Sequence, residues 1–130
     1  MMLKQSINIF LVFIMSLGSI VHAKKVPLPY IGKPTQLPIE VALDFLREDL
    51  EHGEYRILRI AQHSQSESSN TAVNISVIME GLLDDSLAKA RFRLQLYNNT
   101  QQRWQIDKIS KDFACWSGRG HVDWSSQSCH

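Results

Sequence analysis

Apolar and polar residues alternate most regularly in the second half of the chain. Because side chains on a strand point alternately to two faces, the stretches Thr71 to Glu80 and Ser86 to Tyr97 predict strands with one buried face. The inward positions are Val73, Ile75, Val77 and Met79 in the first stretch, and Ala88, Ala90, Phe92, Leu94 and Leu96 in the second.

Two further stretches predict strands. Tyr55 to His63 is rich in Ile and Leu, and Arg103 to Ile109 places Trp104 and Ile106 on one side. The segment 64–70 between the first two strands consists almost wholly of Ser, Gln, Glu and Asn, which predicts a loop.

Apolar residues recur at three- and four-residue spacing from Pro38 to about Glu51, which predicts one helix that ends at His52 and Gly53. Its apolar positions are Ile39, Ala42, Leu43, Leu46 and Leu50. Residues 24–37 contain Pro27, Pro29 and Pro34 and predict an extended N-terminal segment.

One helix followed by four strands with short connections predicts an α+β fold, in which the helix packs on a four-stranded antiparallel sheet. We expect a single domain over residues 38–130, including a C-terminal loop at 115–129 that a disulfide closes.

The N-terminus predicts a secretory signal peptide over residues 1–23. Lys4 precedes an apolar run from Ile7 to Val21, and small residues, Val21 and Ala23, stand where signal peptidase cleaves. The run is short for a membrane span, which needs about 20 residues, so we expect no stable span after cleavage. An uncleaved anchor is the alternative, since Lys24 and Lys25 follow at once. The expected location is periplasmic or secreted.

Charge argues against a nucleic-acid partner. The chain has 14 basic and 13 acidic residues, and Lys4 leaves with the signal peptide, so the mature charge is near zero. A nucleic-acid binder normally carries a clear basic excess.

The only two cysteines, Cys115 and Cys129, predict a disulfide in an exported chain. Closing a loop of this size contributes about 3 kcal/mol. With His121 and His130 they would also supply the ligand types that zinc prefers, or the two histidines alone could hold zinc or copper. Because the spacing does not match the usual zinc sites, we expect no metal and no other cofactor.

The loop concentrates residue types that dominate protein interfaces, namely Trp116, Arg119, His121 and Trp124. These four are the predicted binding residues. A structural cap is the alternative, in which Trp116 covers the end of the core and Arg119 or His121 bonds back to the sheet.

A hydrolase that uses His121 with Asp123 or Arg119 is a further alternative. Catalysis needs side chains that a scaffold holds in convergence, and groups within one loop rarely meet that need. Gly118 and Gly120 add backbone freedom to the same loop. We therefore predict no catalytic residues and favour binding over catalysis.

A basic stripe of Lys89, Arg91 and Arg93 lies on the outward face of the third predicted strand, and Arg59 and Arg103 could join it. It is either an anion-facing surface, for lipid head groups, a polysaccharide or an acidic protein, or a solvated sheet face.

The order of elements over Pro38 to Ile109 resembles the cystatin-like layout and, more loosely, the nuclear-transport-factor-like layout of small exported bacterial domains. The cystatin inhibitory motif, Gln-x-Val-x-Gly, is absent, so the resemblance does not imply protease inhibition. The terminal pattern Cys-Trp-Ser-Gly-Arg-Gly-His, followed by Cys129, is similar to that of uncharacterised exported bacterial proteins.

These observations predict a small exported binding or accessory protein of the cell envelope whose partner is another envelope or secreted protein. The alternatives are the secreted hydrolase and a structural subunit of an envelope assembly, joined through a sheet edge or the basic stripe.

Overall fold

Five antiparallel strands form one sheet in the computed structural model, which describes residues 26–130. The predicted signal peptide at 1–23 lies outside the described residues. In space the strands follow the order β1-β5-β4-β3-β2. In sequence the elements are β1 (Tyr30–Ile31), α1 (Pro38–Phe45), α2 (Arg47–His52), β2 (Ile57–Ser66), β3 (Ser69–Glu80), β4 (Leu87–Asn98) and β5 (Trp104–Cys115).

The predicted fold class, one helix on a four-stranded sheet, is wrong. Strands make up 47% and helices 13% of the structure, so the molecule is mainly an antiparallel sheet. The fifth strand, β1, lies in the predicted extended N-terminal segment, residues 24–37, and pairs Tyr30 with Ile106 of β5. Pro29 directly precedes β1, and the strand has only two residues, too few for an alternating pattern to show in the sequence.

The predicted single helix is interrupted. Leu46 has φ −89° and ψ 9°, outside the α-helical range, and separates α1 from α2. Its side chain is nevertheless buried in the core, 1% exposed. The helical spacing of apolar residues in the sequence therefore continues across the break and does not reveal it. No helix among residues 26–130 is long and apolar enough to cross a membrane.

The apolar face of the sheet, called here the core face, packs against the helices. The alternation predicted for β3 and β4 is confirmed, since every inward position is buried. Helix α1 adds Val41 and Ala42 to the same core, and the rings of Tyr30 and Phe45 meet edge to face at 5.4 Å. The buried inward residues are Val73, Ile75, Val77, Met79, Ala88, Ala90, Phe92, Leu94 and Leu96.

Two strand boundaries differ from the sequence prediction. The segment 64–70 is not a long loop, because β2 and β3 continue as a hairpin and leave only Glu67 and Ser68 between them. Polar cross-strand contacts support this end, among them the bond from Gln65 Nε2 to Asn74 Oδ1 at 3.1 Å. β5 runs on to Cys115, six residues beyond the predicted end at Ile109.

The opposite face of the sheet, called here the outer face, carries polar side chains. The register sets Arg91 of β4 beside Asp112 of β5 and Arg93 beside Ser110. β2 closes one edge of the sheet and is exposed along most of its length.

Candidate functional site

The predicted disulfide between Cys115 and Cys129 is confirmed, with Cα atoms 5.6 Å apart. It ties the end of β5 to the penultimate residue of the chain. A structural disulfide indicates an oxidising, non-cytoplasmic environment.

Backbone hydrogen bonds hold the loop in addition to the disulfide. Phe113 and Ser125 exchange two N–H to carbonyl bonds of 2.7 and 3.0 Å, which dock the returning chain on the edge of β5. Within the loop, Cys115 N–H donates to the His121 carbonyl and His130 N–H donates to the Arg119 carbonyl, both at 2.8 Å. The loop is therefore a bonded structure rather than a free segment.

Trp116 is fixed at the end of the sheet but keeps an exposed ring. Its Nε1–H donates to the carbonyl of Asp84 at 2.9 Å, and 43% of its surface is exposed. The ring lines a cavity of about 350 Å³ together with Leu83, which is 65% exposed. The complete lining is Arg56, Gly81, Leu82, Leu83, Asp84, Asp85 and Trp116.

Asp84 organises the turn under Trp116. Its Oδ1 accepts hydrogen bonds from the N–H groups of Leu87 and Ser86, at 2.8 and 2.9 Å. These bonds stabilise the carboxylate and lower the pKa of Asp84 below its ordinary value. The carbonyl that anchors Trp116 is thus part of an ordered turn.

Arg119 occupies the tip of the loop. Its N–H donates to the Trp116 carbonyl at 2.9 Å, closing a turn in which Gly118 has φ 82°, a conformation that favours glycine. Among residues 26–130 its guanidinium has no hydrogen-bond or salt-bridge partner. Arg119 is therefore an exposed cation on the same turn as Trp116.

His121 points into the loop instead of outward. Its Nδ1 lies 2.8 Å from the carbonyl oxygen of Asp123, and its Nε2 lies 2.8 Å from that of Gln127. Two carbonyl acceptors favour the doubly protonated ring, and the bond to Gln127, followed by that to Asp123, raises the pKa of His121 above its ordinary value. Neither ring nitrogen is free to act as a base here, and Asp123 meets the ring through its backbone, not its carboxylate.

Trp124 belongs to the outer face of the sheet. The guanidinium of Arg91 lies 4.5 Å from the centre of its ring, a cation–π contact. Arg91 also bonds the carboxylate of Asp112 at 2.5 Å, and Arg93 reaches the same oxygen at 3.0 Å. Two residues of the predicted basic stripe thus share one carboxylate, while Lys89 is exposed.

The four predicted binding residues do not form one site. Trp116 and Arg119 lie together at the end of the loop, His121 serves the loop interior, and Trp124 supports Arg91. We call the exposed group of Leu83, Trp116 and Arg119 the loop-end surface. Leu83 was not predicted from the sequence. The available signal was a pair of adjacent leucines between two strands, of which only one could be buried: Leu82 is 9% exposed, and Leu83 points outward.

The metal-ligand types considered from the sequence do converge in part. Atoms of Cys115, His121 and Cys129 that could coordinate a metal lie within 4.8 Å of one another. The two sulfurs are bonded to each other and are not thiolates, the form that binds metals.

No protein-family model, curated protein or solved structure matches this chain. The resemblance to cystatin-like and nuclear-transport-factor-like domains therefore stays a prediction.

Proposed function

We propose that this protein is an exported binding protein of the cell envelope, periplasmic or secreted, that contacts a partner protein through the loop-end surface. The proposal rests on Leu83 and Trp116, which line the cavity and are exposed, and on Arg119, which lies on the same turn as Trp116. Together they offer an aliphatic side chain, an aromatic ring and a guanidinium without a hydrogen-bond or salt-bridge partner among residues 26–130.

The composition of this surface is that of an interface centre. Trp and Arg are the residues most enriched among binding hot spots, and apolar side chains surrounded by polar groups form the usual pattern. Here Leu83 and Trp116 are the apolar part, and Arg56, Asp84 and Asp85 line the same cavity as its polar part. A partner side chain that enters the cavity would meet all of these groups.

The bonding of the loop supports the same proposal. A flexible loop loses conformational entropy when it binds, whereas a preorganised loop loses less. The disulfide, the Phe113–Ser125 bridge and the two bonds of His121 fix the loop before any partner arrives.

Site-specific photo-crosslinking tests the proposal. A photoreactive phenylalanine replaces Leu83 in one protein and Leu37 in another, since Leu37 is 61% exposed on a different part of the molecule. Each protein is irradiated in cells of the source organism. We expect a discrete covalent adduct from position 83, and we expect Arg119→Ala in the same chain to remove it.

The control variant Lys33→Ala removes an exposed cation elsewhere and should leave the adduct unchanged. Equal adducts from positions 83 and 37, or an adduct that Arg119→Ala does not affect, would refute a specific contact at the loop-end surface.

One observation favours the second candidate, a subunit of an envelope assembly. β2 is an edge strand of ten residues, exposed along most of its length, and its outer backbone groups could pair with another strand. Light scattering of the purified protein tests it: a defined oligomer supports this candidate, and a monomer at high concentration contradicts it.

A further inference from the structure

A shallow groove crosses the outer face of the sheet, away from the loop-end surface. Its volume is about 530 Å³, within the range of ligand sites. Its side chains come from four strands, β2 to β5, so no short sequence motif marks it. They are His63, Asn74, Ser76, Arg93, Gln95, Lys108 and Ser110.

The strand register arranges these side chains in two rows. His63 pairs with Asn74, Asn74 with Gln95, and Gln95 with Lys108, so one row crosses four of the five strands. At about 4.8 Å between strands, its ends lie about 14 Å apart.

The second row runs beside the first. Ser76 pairs with Arg93, and Arg93 pairs with Ser110, so Arg93 stands between two serines in the register. The groove is therefore long enough for several units of an extended chain that lies across the strands.

The charge of the groove is positive. Arg93 and Lys108 line it, and no carboxylate appears among its described lining residues. Asp112, nearby, forms salt bridges with both Arg91 and Arg93, so two guanidinium charges share one carboxylate. Lys108 forms no salt bridge within residues 26–130. The arrangement complements carboxylate groups spaced along a chain.

The lining also distinguishes among anionic ligands. Ile75, Leu94 and Ile109 border the groove through their backbones, because their positions in the register put their side chains on the core face. No Phe, Tyr, Trp or Met is among the lining residues that the structure describes, whereas these side chains are enriched at the centres of protein interfaces. The amide and hydroxyl groups between the cations can both donate and accept, and thus suit the hydroxyl groups of sugars.

We propose that this groove binds a carboxylate-bearing polysaccharide, with Arg93 and Lys108 on its carboxylates and Asn74, Gln95, Ser76 and Ser110 on its hydroxyl groups. This ligand is separate from the protein partner proposed above. The loop supports the groove indirectly, because Trp124 stacks against Arg91 and Arg91 shares Asp112 with Arg93.

Calorimetric titration of the disulfide-bonded protein with oligogalacturonate tests the proposal, with dextran as the neutral probe. We expect binding to oligogalacturonate that weakens as salt is added, and none to dextran. Arg93→Gln with Lys108→Gln should weaken binding about tenfold or more, since each change removes a charged hydrogen-bond donor. Lys108→Gln alone, which breaks no ion pair of the described residues, should also weaken the binding of oligogalacturonate.

The matched control is Lys33→Gln with Arg119→Gln, which makes the same change in net charge away from the groove. It should bind oligogalacturonate as the native protein does, and so should Leu83→Ala, whose side chain belongs only to the loop-end surface. Absence of binding, equal losses in the control, or tighter binding of poly-glutamate, of anionic phospholipid vesicles or of RNA would overturn the proposal. A failure here leaves the crosslinking result at position 83 unaffected.

Discussion

The two faces of the sheet are built from the same strands but follow opposite rules. On the core face, successive inward residues of β3 and β4 are apolar and buried, and α1 covers them. On the outer face, the residues between them are polar except for Ile78, and Arg91, Arg93 and Asp112 form its central ion pairs. Burial of apolar area is the dominant stabilising term, so the core face determines stability. Side chains on the outer face and in the loop can therefore differ in type without a large loss of stability, so they are the ones available for binding.

The C-terminal loop connects the two faces. Phe113, which borders the apolar core, pairs with Ser125, and the next residue back, Trp124, lies under Arg91 of the outer face. A disulfide and backbone bonds replace the apolar core that a short polar segment cannot form for itself. Single substitutions on either face, and removal of the disulfide, should therefore change different properties of the protein.

Leu94→Ala should have the largest effect, because it opens a cavity at a side chain that is 1% exposed. We expect a loss of about 2–5 kcal/mol in the free energy of unfolding, measured in urea. Gln95→Ala, one residue along on the outer face, is the matched control and should change it by less than about 0.5 kcal/mol. Equal effects at positions 94 and 95 would contradict the division between the faces.

Cys115→Ser with Cys129→Ser removes the disulfide. The loop model predicts a loss of about 3 kcal/mol, since the separation is 14 residues. Hydrogen exchange of the Ser125 and His130 amides should accelerate more than that of amides in β3, because only the former depend on the loop. Unchanged exchange at Ser125 would show that the backbone bridge holds without the disulfide.

Asp112→Asn removes the carboxylate that Arg91 and Arg93 share. Asp112 is 8% exposed, and we expect a loss of about 1–3 kcal/mol in the free energy of unfolding. Glu80→Gln breaks the more exposed pair with Arg59 and should cost less than about 1 kcal/mol. If Glu80→Gln lowered the free energy of unfolding more than Asp112→Asn does, the ion pairs of Asp112 would not be the main stabilising ion pairs of the outer face.

Protonation of His121 should change the free energy of unfolding by the smallest amount, and it should stabilise the folded protein. Because folding raises its pKa, the stabilisation is fully present below the ordinary value of 6.5 and is lost as the pH rises through the raised pKa. Nuclear magnetic resonance should find the His121 titration above that value, and His121→Gln should flatten the dependence of the unfolding midpoint on pH in this window. A native His121 that titrates below 6.5 would mean that its two carbonyl contacts do not form in solution.

Sequence pattern was sufficient for the parts of the fold that repeat. β3 and β4 alternate over many residues, so their buried faces could be predicted, and two cysteines in one chain allow a single intrachain pair. β1 could not be predicted because two residues contain no period. The break at Leu46 was hidden because a buried leucine fits the helical spacing whether or not the backbone is helical.

The sites were harder to predict than the fold. Trp116 and Arg119 could be named from their types, but the inward turn of His121 depends on carbonyl groups that no sequence pattern reveals. Leu83 joins Trp116 only through the turn that Asp84 organises. The groove was missed as a unit because its rows depend on the register of four strands, and a shift of one residue in any strand would turn its side chains to the other face.

Contact through the loop-end surface is tested by the affinity of the Leu83→Ala, Arg119→Ala protein for the partner captured at position 83. Both side chains are exposed, and neither forms a side-chain hydrogen bond or salt bridge within the described residues. We therefore expect an unfolding midpoint equal to that of the native protein. We expect this protein to bind the partner at least about tenfold more weakly than the native protein does. Binding of native strength would contradict a contact at the loop-end surface and assign the loop to structure alone.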